Sequence, residues 1–89
     1  KGIIMSTWLI YAKVIKPMPL PDGNGEKKIV EPQTTFRALN YRGQRVSRLA
    51  DAGKYYEKEM AQKIINKAKT YWEKQGYGDC VVYEIRKAK

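Results

Sequence analysis

No histidine occurs in this chain, and only one cysteine, Cys80. The first absence removes the commonest general base and the commonest metal ligand. Cysteine–histidine and serine–histidine nucleophile arrangements are excluded, and one Cys without His cannot build a structural zinc site. A lone cysteine cannot close an internal disulfide, which points to a reducing compartment. Within "DCVVYEI" it reads as a small buried thiol. Neither a G-x-x-x-x-G-K-[ST] loop nor a G-x-G-x-x-G fingerprint is present, and "DGNGE" lacks the calcium-loop pattern. Glu57 and Glu59 lie two apart on a predicted helix, so they do not face each other; Glu73 and Asp79 read as solvated surface. These exclusions predict a binding protein and not an enzyme, with no catalytic residue, metal, cofactor or small-molecule substrate.

Long apolar runs are also missing. None approaches the roughly 20 residues that span a bilayer, so no membrane partner is expected. The opening "KGIIMSTWLIYAKVI" is broken by Lys13 and carries no small-residue cleavage site, which argues against a secretory leader. Met5 is a candidate natural start, and a cytoplasmic protein is the expectation. Acidic residues are scarce, 9 against 18 basic, for a net charge of +9. Such a field favours anionic partners. Hydrophobic content of 43% is enough for one core, and the length predicts a single domain.

Several elements can be placed. Ile3 to Ile15 reads as a strand, with Trp8, Ile10, Ala12 and Val14 on one face and Thr7, Leu9, Tyr11, Lys13 and Ile15 on the other. Both faces are largely apolar, as in a central strand covered on both sides. "KPMPLPDGNGEKK" predicts a stiff, extended surface loop. Its prolines alternate and do not follow the P-x-x-P of ligands for proline-binding modules. Asp22-Gly23 and Asn24-Gly25 predict turns, and a short strand returns over Lys28 to Glu31.

"TTFRALNYRGQRVSRLA" reads as a hairpin turning at Arg42-Gly43. In that register Leu39 faces Val46, Phe36 faces Leu49 and Arg37 faces Arg48. Tyr55 or Tyr56 then packs under a helix, in the manner of a hydrophobic staple. The helix carries Met60, Ala61, Ile64, Ile65, Ala68, Tyr71 and Trp72 as one apolar stripe. Glu57 and Glu59 suit its N-terminal dipole, Lys74 its last turn, and Gly76 its stop. "CVVYEIR" closes the chain as a strand with Val81, Tyr83 and Ile85 on one face. The fold class is α+β: an antiparallel sheet of about four to five strands, one long amphipathic helix on one face, then a C-terminal strand.

The chemistry-bearing feature is "NYRGQRVSR". Arg37, Arg42, Arg45 and Arg48 account for all but one of the chain's arginines, and no acidic residue separates them. Arginine suits planar, bidentate recognition of phosphate or carboxylate. A like-charged pair directly across a hairpin is mildly destabilising until an anion sits between them. Tyr41 is placed to stack on a base. Lys54, Lys63 and Lys67 add cations along the following segment and helix, Lys63 and Lys67 sharing one side with Lys74. Arg37, Tyr41, Arg42, Arg45, Arg48, Lys54, Lys63 and Lys67 are therefore the candidate anion-binding set. Its expected partner is nucleic acid or an acidic or nucleoprotein surface.

Two resemblances bear on the role. "RVSRLADAGKYYEKEMAQKIINKAK", a strand, an alanine-bearing turn, an aromatic at Tyr55 or Tyr56 and a basic helix opened by Glu59 and Ala61, resembles small phage and prophage proteins of unassigned function. That resemblance implies an inhibitor or modulator of host machinery, anti-CRISPR and other anti-defence proteins included, acting by protein–protein contact. The sheet-then-helix order is similar to integrase arm-binding domains and to plant ethylene-response-type DNA-binding domains. It implies that Arg37, Arg42, Arg45 and Arg48 read the major groove, although those domains lack the strand from Cys80 to Arg86. Salt separates the classes: phosphate contacts weaken steeply as salt rises, and apolar docking does not.

Overall fold

The computed structural model describes residues 6–21 and 25–88. The element order is β1 (Trp8–Val14), β2 (Met18–Pro21), β3 (Lys27–Val30), β4 (Arg37–Ala38), a short 3-10 turn (Leu49–Asp51), α1 (Lys58–Gln75) and β5 (Val81–Lys87). The strands are antiparallel, but they form two sheets and not one: a three-stranded sheet in the order β4-β1-β5, and a separate ribbon of β2 and β3. The α+β class and the expected four to five strands fit, but among the described residues the strands divide three plus two and do not join in a single sheet.

β1 is central because both of its faces are apolar. Ile10, Ala12 and Val14 enter the main core with Ala61 and Ile65 of α1, and Val81, Tyr83 and Ile85 of β5 pack there too. Leu9 joins Ala38 and Ala52 in a smaller cluster behind the sheet, where Tyr11 also packs. The register sets this division: Ala12 pairs with Tyr83, and Tyr11 pairs with Glu84. Residues directly opposite in a sheet share a face. Tyr55 takes the expected place beneath the helix; it is buried while Tyr56 is exposed. Its backbone exchanges hydrogen bonds with that of Trp8, at 2.6 and 3.0 Å, which ties the helix entry to the start of β1.

The proline stretch is a strand, contrary to the loop expected of it. Met18 pairs with Val30 and Leu20 with Lys28. Strand period is two, so prolines at 17, 19 and 21 all direct their missing donor to one edge. Met18 and Leu20 keep theirs for β3. A proline costs a ladder hydrogen bond only where its N–H would have faced a partner. The expected strand start at Ile3 and the turns at Asp22-Gly23 and Asn24 lie outside the described residues.

α1 ends as expected, with Gly76 in the left-handed region at φ 89°. Its apolar stripe is only partly covered, however. Ala61 and Ile65 are buried, but Met60, Ile64 and Tyr71 are exposed at 49, 37 and 49%. The helix packs on β1 and β5, and the flank of the stripe toward β4 is left without a sheet beneath it.

Cys80 is a buried free thiol, as its setting implies. Burial pushes its pKa up, and the neighbouring Asp79 charge adds to the effect. Burial likewise raises the phenols of Tyr55 and Tyr83 above their ordinary 10.0. Each group therefore holds its proton in the folded state at a pH where the unfolded chain has released it, and stability falls as pH rises. A set of thermal melts from pH 8 to pH 11, a span about the ordinary thiol and phenol values, is expected to show a steady drop in Tm, beginning near the thiol pKa and steepening near the phenol pKa. A flat profile over that span would contradict the burial of all three groups.

Candidate anion-binding cleft

The arginine loop is built on Asn40. Its Oδ1 accepts hydrogen bonds from the backbone N–H groups of Arg42 and Gln44, both at 2.9 Å, and its Nδ2 donates to Gln44 Oε1 at 3.0 Å. Its backbone N–H donates to the Gln44 carbonyl at 2.8 Å, and its carbonyl accepts from Gly43 at 3.0 Å. Gly43 has φ 81°. This is a three-residue loop, Tyr41 to Gly43, whose last residue takes the left-handed conformation. Asn40→Ala is expected to remove the two side-chain acceptances and lower stability by about 1 kcal/mol. The check is hydrogen exchange, in which the Arg42 and Gln44 amides should lose protection while those of β1 keep theirs.

The loop shifts the hairpin register by one residue. Leu39 bridges to Arg45 and not to Val46, and the Val46 N–H donates to Ala38. A one-residue slip sends every later side chain to the other face, so the opposition of Arg37 and Arg48 is overturned. The returning arm is not a strand either; it makes a single bridge and passes into the 3-10 turn. Arg48 is drawn away to Asp51, with Nε at 3.0 Å from Oδ2.

Arg45 takes the place beside Arg37 that the sequence assigns to Arg48. Its pKa is lowered by burial and then by the charge of Arg37. Arg37 lies opposite Ala12 in the sheet, so it points to the helix side. Arg37, Arg42 and Arg45 together form one rim of a cleft of 620 Å³. Among the described residues no acidic side chain pairs with any of the three.

The floor of this cleft is apolar. β1 contributes Ile10, Ala12 and Val14, the ribbon Met18 and Leu20, and β5 Val81 and Tyr83. The far wall is the uncovered flank of α1, with Ile64, Ala68, Tyr71 and Trp72. Tyr71 and Trp72 meet edge to face, their ring centroids 4.9 Å apart. Helical periodicity marks these wall residues as part of one apolar stripe without showing how far the sheet extends beneath it. The one available signal was the stripe's width, seven residues in two parallel rows over a narrow sheet.

The other candidates divide. Lys67 falls along the exposed stripe, seven residues after Met60 and four before Tyr71, so it lies beside the cleft mouth. Lys63 borders the same stripe one row further out. Tyr41 stays exposed, but its hydroxyl and one ring edge are engaged. Its hydroxyl donates to the Lys54 carbonyl at 3.1 Å and accepts from the Lys54 N–H at 2.9 Å, and its ring meets Tyr55 edge to face at 5.5 Å. It braces the loop through the Lys54 backbone, and neither Tyr41 nor Lys54 lines the cleft.

A second cationic feature lies behind the sheet. The Arg86 guanidinium sits 4.2 Å from the Tyr11 ring centre, and Lys13 sits 4.9 Å from that of Phe36. Arg86 is also paired with Glu84, so part of its charge is answered locally. Among the described residues, no cluster of His, Cys, Asp or Glu is arranged to hold a metal, and no helix is long and apolar enough to cross a membrane. Comparison with protein-family models, curated proteins and solved structures finds no match to this chain.

Proposed function

We propose that this chain is a small, basic, non-enzymatic protein that binds nucleic acid, or a complex that handles nucleic acid, through the arginine loop and the cleft behind it. The observation that carries this reading is the set Arg37, Arg42 and Arg45 on one rim, with no acidic partner among the described residues. Two of these charges, Arg37 and Arg45, lie close enough to disfavour each other, and Arg45 is partly desolvated as well. Like charges held together with little water are unfavourable in the free protein; a bound phosphate reverses the sign. A phage or mobile-element origin, with action on host defence, is proposed on the resemblance of residues 45–69.

One observation favours a second reading, an inhibitor that docks on a host protein. Met60, Ile64 and Tyr71 form an exposed apolar row, and β5 is a sheet edge of seven residues able to accept a partner strand. The groove-reading arrangement of integrase arm-binding domains would need its arginines on the sheet face away from the helix, whereas Arg37, Arg42 and Arg45 line the helix side.

Gel shifts with random duplex and single-stranded probes at low and moderate salt test the proposal. Binding that falls steeply with salt is expected, since each phosphate contact releases counterions. No shift with either probe at low salt would remove nucleic acid as the partner and leave the inhibitor reading.

A further inference from the structure

We infer that the cleft receives an unstacked base of a single strand, while Arg37, Arg42 and Arg45 hold the phosphates on either side of it. This rests on the nucleic-acid reading above and narrows it to one ligand form. The cleft's 620 Å³ falls within the range of pockets that enclose small organic groups, and a base with its sugar is such a group. Its charged groups are confined to the loop rim, and its far wall offers the exposed ring of Tyr71 beside Trp72. A flat aromatic ligand with an anionic tether matches that division of charge and surface.

The floor is closely packed, with Val14 and Met18 only 1% exposed, as in any protein interior. The surface open to a ligand is the helix wall, where Ile64 and Tyr71 are exposed. Duplex nucleic acid presents phosphates to a rim but keeps its bases stacked inside, so reaching the aromatic wall would require a base to leave the stack at a cost of unpairing. A single strand avoids that cost. Stacking on aromatic side chains beside a basic track is the general mode of single-strand binding. Lys67, between Ile64 and Tyr71 on the helix, continues the cationic path across the mouth of the cleft. An acidic peptide would satisfy the arginines, yet it would make no use of the aromatic wall.

The test is fluorescence anisotropy of the whole protein with four probes: a labelled thymidine 12-mer, its duplex, the same strand with abasic sites, and labelled polyglutamate of equal charge. The thymidine strand is expected to bind about tenfold or more tightly than the abasic strand, and more tightly than the duplex. Tyr71→Leu keeps the apolar packing and removes the ring. It should bring the thymidine strand down to the abasic level without altering duplex binding, and the lost edge contact with Trp72 should lower Tm by several degrees while leaving the protein folded. Tyr71→Phe should restore it. Equal affinity for strand, abasic strand and duplex would overturn the inference while leaving the nucleic-acid reading intact. Polyglutamate binding as tightly as the thymidine strand would overturn it in favour of an acidic protein surface. Failure of every nucleic-acid probe would overturn both.

Discussion

The double variant Arg37→Ala/Arg45→Ala is expected to bind a single-stranded oligonucleotide on the order of a hundredfold more weakly at low salt, while melting at the same temperature as wild type or higher. The binding loss follows from two charge-assisted hydrogen bonds of about 1.5 kcal/mol each, which together correspond to roughly two decades in Kd. The salt dependence should flatten as well, by about 1.4 in the log–log slope for two lost contacts to a single strand. The stability outcome has a separate cause. Arg45 is partly buried next to Arg37, and both act to disfavour its charge. Neither guanidinium has an acidic partner among the described residues, so truncation leaves no carboxylate unpaired. Surface positions that serve ligands often trade stability in this way.

The matching control is Arg48→Ala/Lys54→Ala. It removes the same formal charge, but from the Asp51 ion pair and from a residue that contacts Tyr41 only through its backbone. If overall charge alone governs binding, the two double variants should weaken it equally. If the cleft rim governs it, the control should stay within about threefold of wild type, the scale of a long-range effect screened by salt. A Tm that falls by several degrees in Arg37→Ala/Arg45→Ala would show that the pair stabilises the fold and would remove the argument from unanswered charge.

The contrast between Arg45 and Arg48 shows where the sequence is legible and where it stops. The residues of the loop announce themselves: Asn, Arg, Gly and the surrounding alternation mark a hairpin. Its register depends on whether Gly43 sits inside a two-residue turn or adds a third, left-handed residue after it. Asn40 decides this through the backbone hydrogen bonds that its side-chain Oδ1 accepts, and that choice leaves no trace in hydrophobic periodicity. One residue of error exchanges Arg48 for Arg45 at the rim. The types of residue in the site could therefore be anticipated, but not which of them meet.

The helix and the last strand were legible for a different reason. Each carries a strong period of its own, with a glycine stop at Gly76 and strict alternation over Val81, Tyr83 and Ile85. Tertiary context had little left to decide. The cleft was illegible because it is a property of coverage. Ile64 and Tyr71 carry the same helical signal as Ala61 and Ile65, and only the narrowness of a three-stranded sheet separates wall from core. The division of five strands into two sheets was hidden for a related reason: alternating prolines argue against a strand in general, though not against a strand that needs donors on one edge alone.

That last point has the largest consequence for stability. Met18→Ala is expected to lower stability by about 2–5 kcal/mol, and Tm by on the order of 10 °C or more in a domain of this size. Met18 is 1% exposed and belongs to the main core, although it stands between two prolines in a stretch that reads as loop. Its side chain fastens the ribbon of β2 and β3 to the sheet and forms part of the cleft floor. The surrounding prolines restrain the backbone, so the site can collapse little around a smaller residue, and cavity costs rise when collapse is prevented. Pro19→Ala is the matching comparison at a proline of the same strand. In the strand Pro19 faces Ile29 with its missing donor turned to the outer edge, so alanine there should cost only the proline's restraint of the unfolded chain, about 0.4–1 kcal/mol. A surface loop would make Met18→Ala nearly neutral while leaving the small cost of Pro19→Ala unchanged. A Met18→Ala protein melting within about 2 °C of wild type, well under the shift that a core truncation brings, would refute the anchoring of the ribbon and, with it, the floor on which the cleft is built.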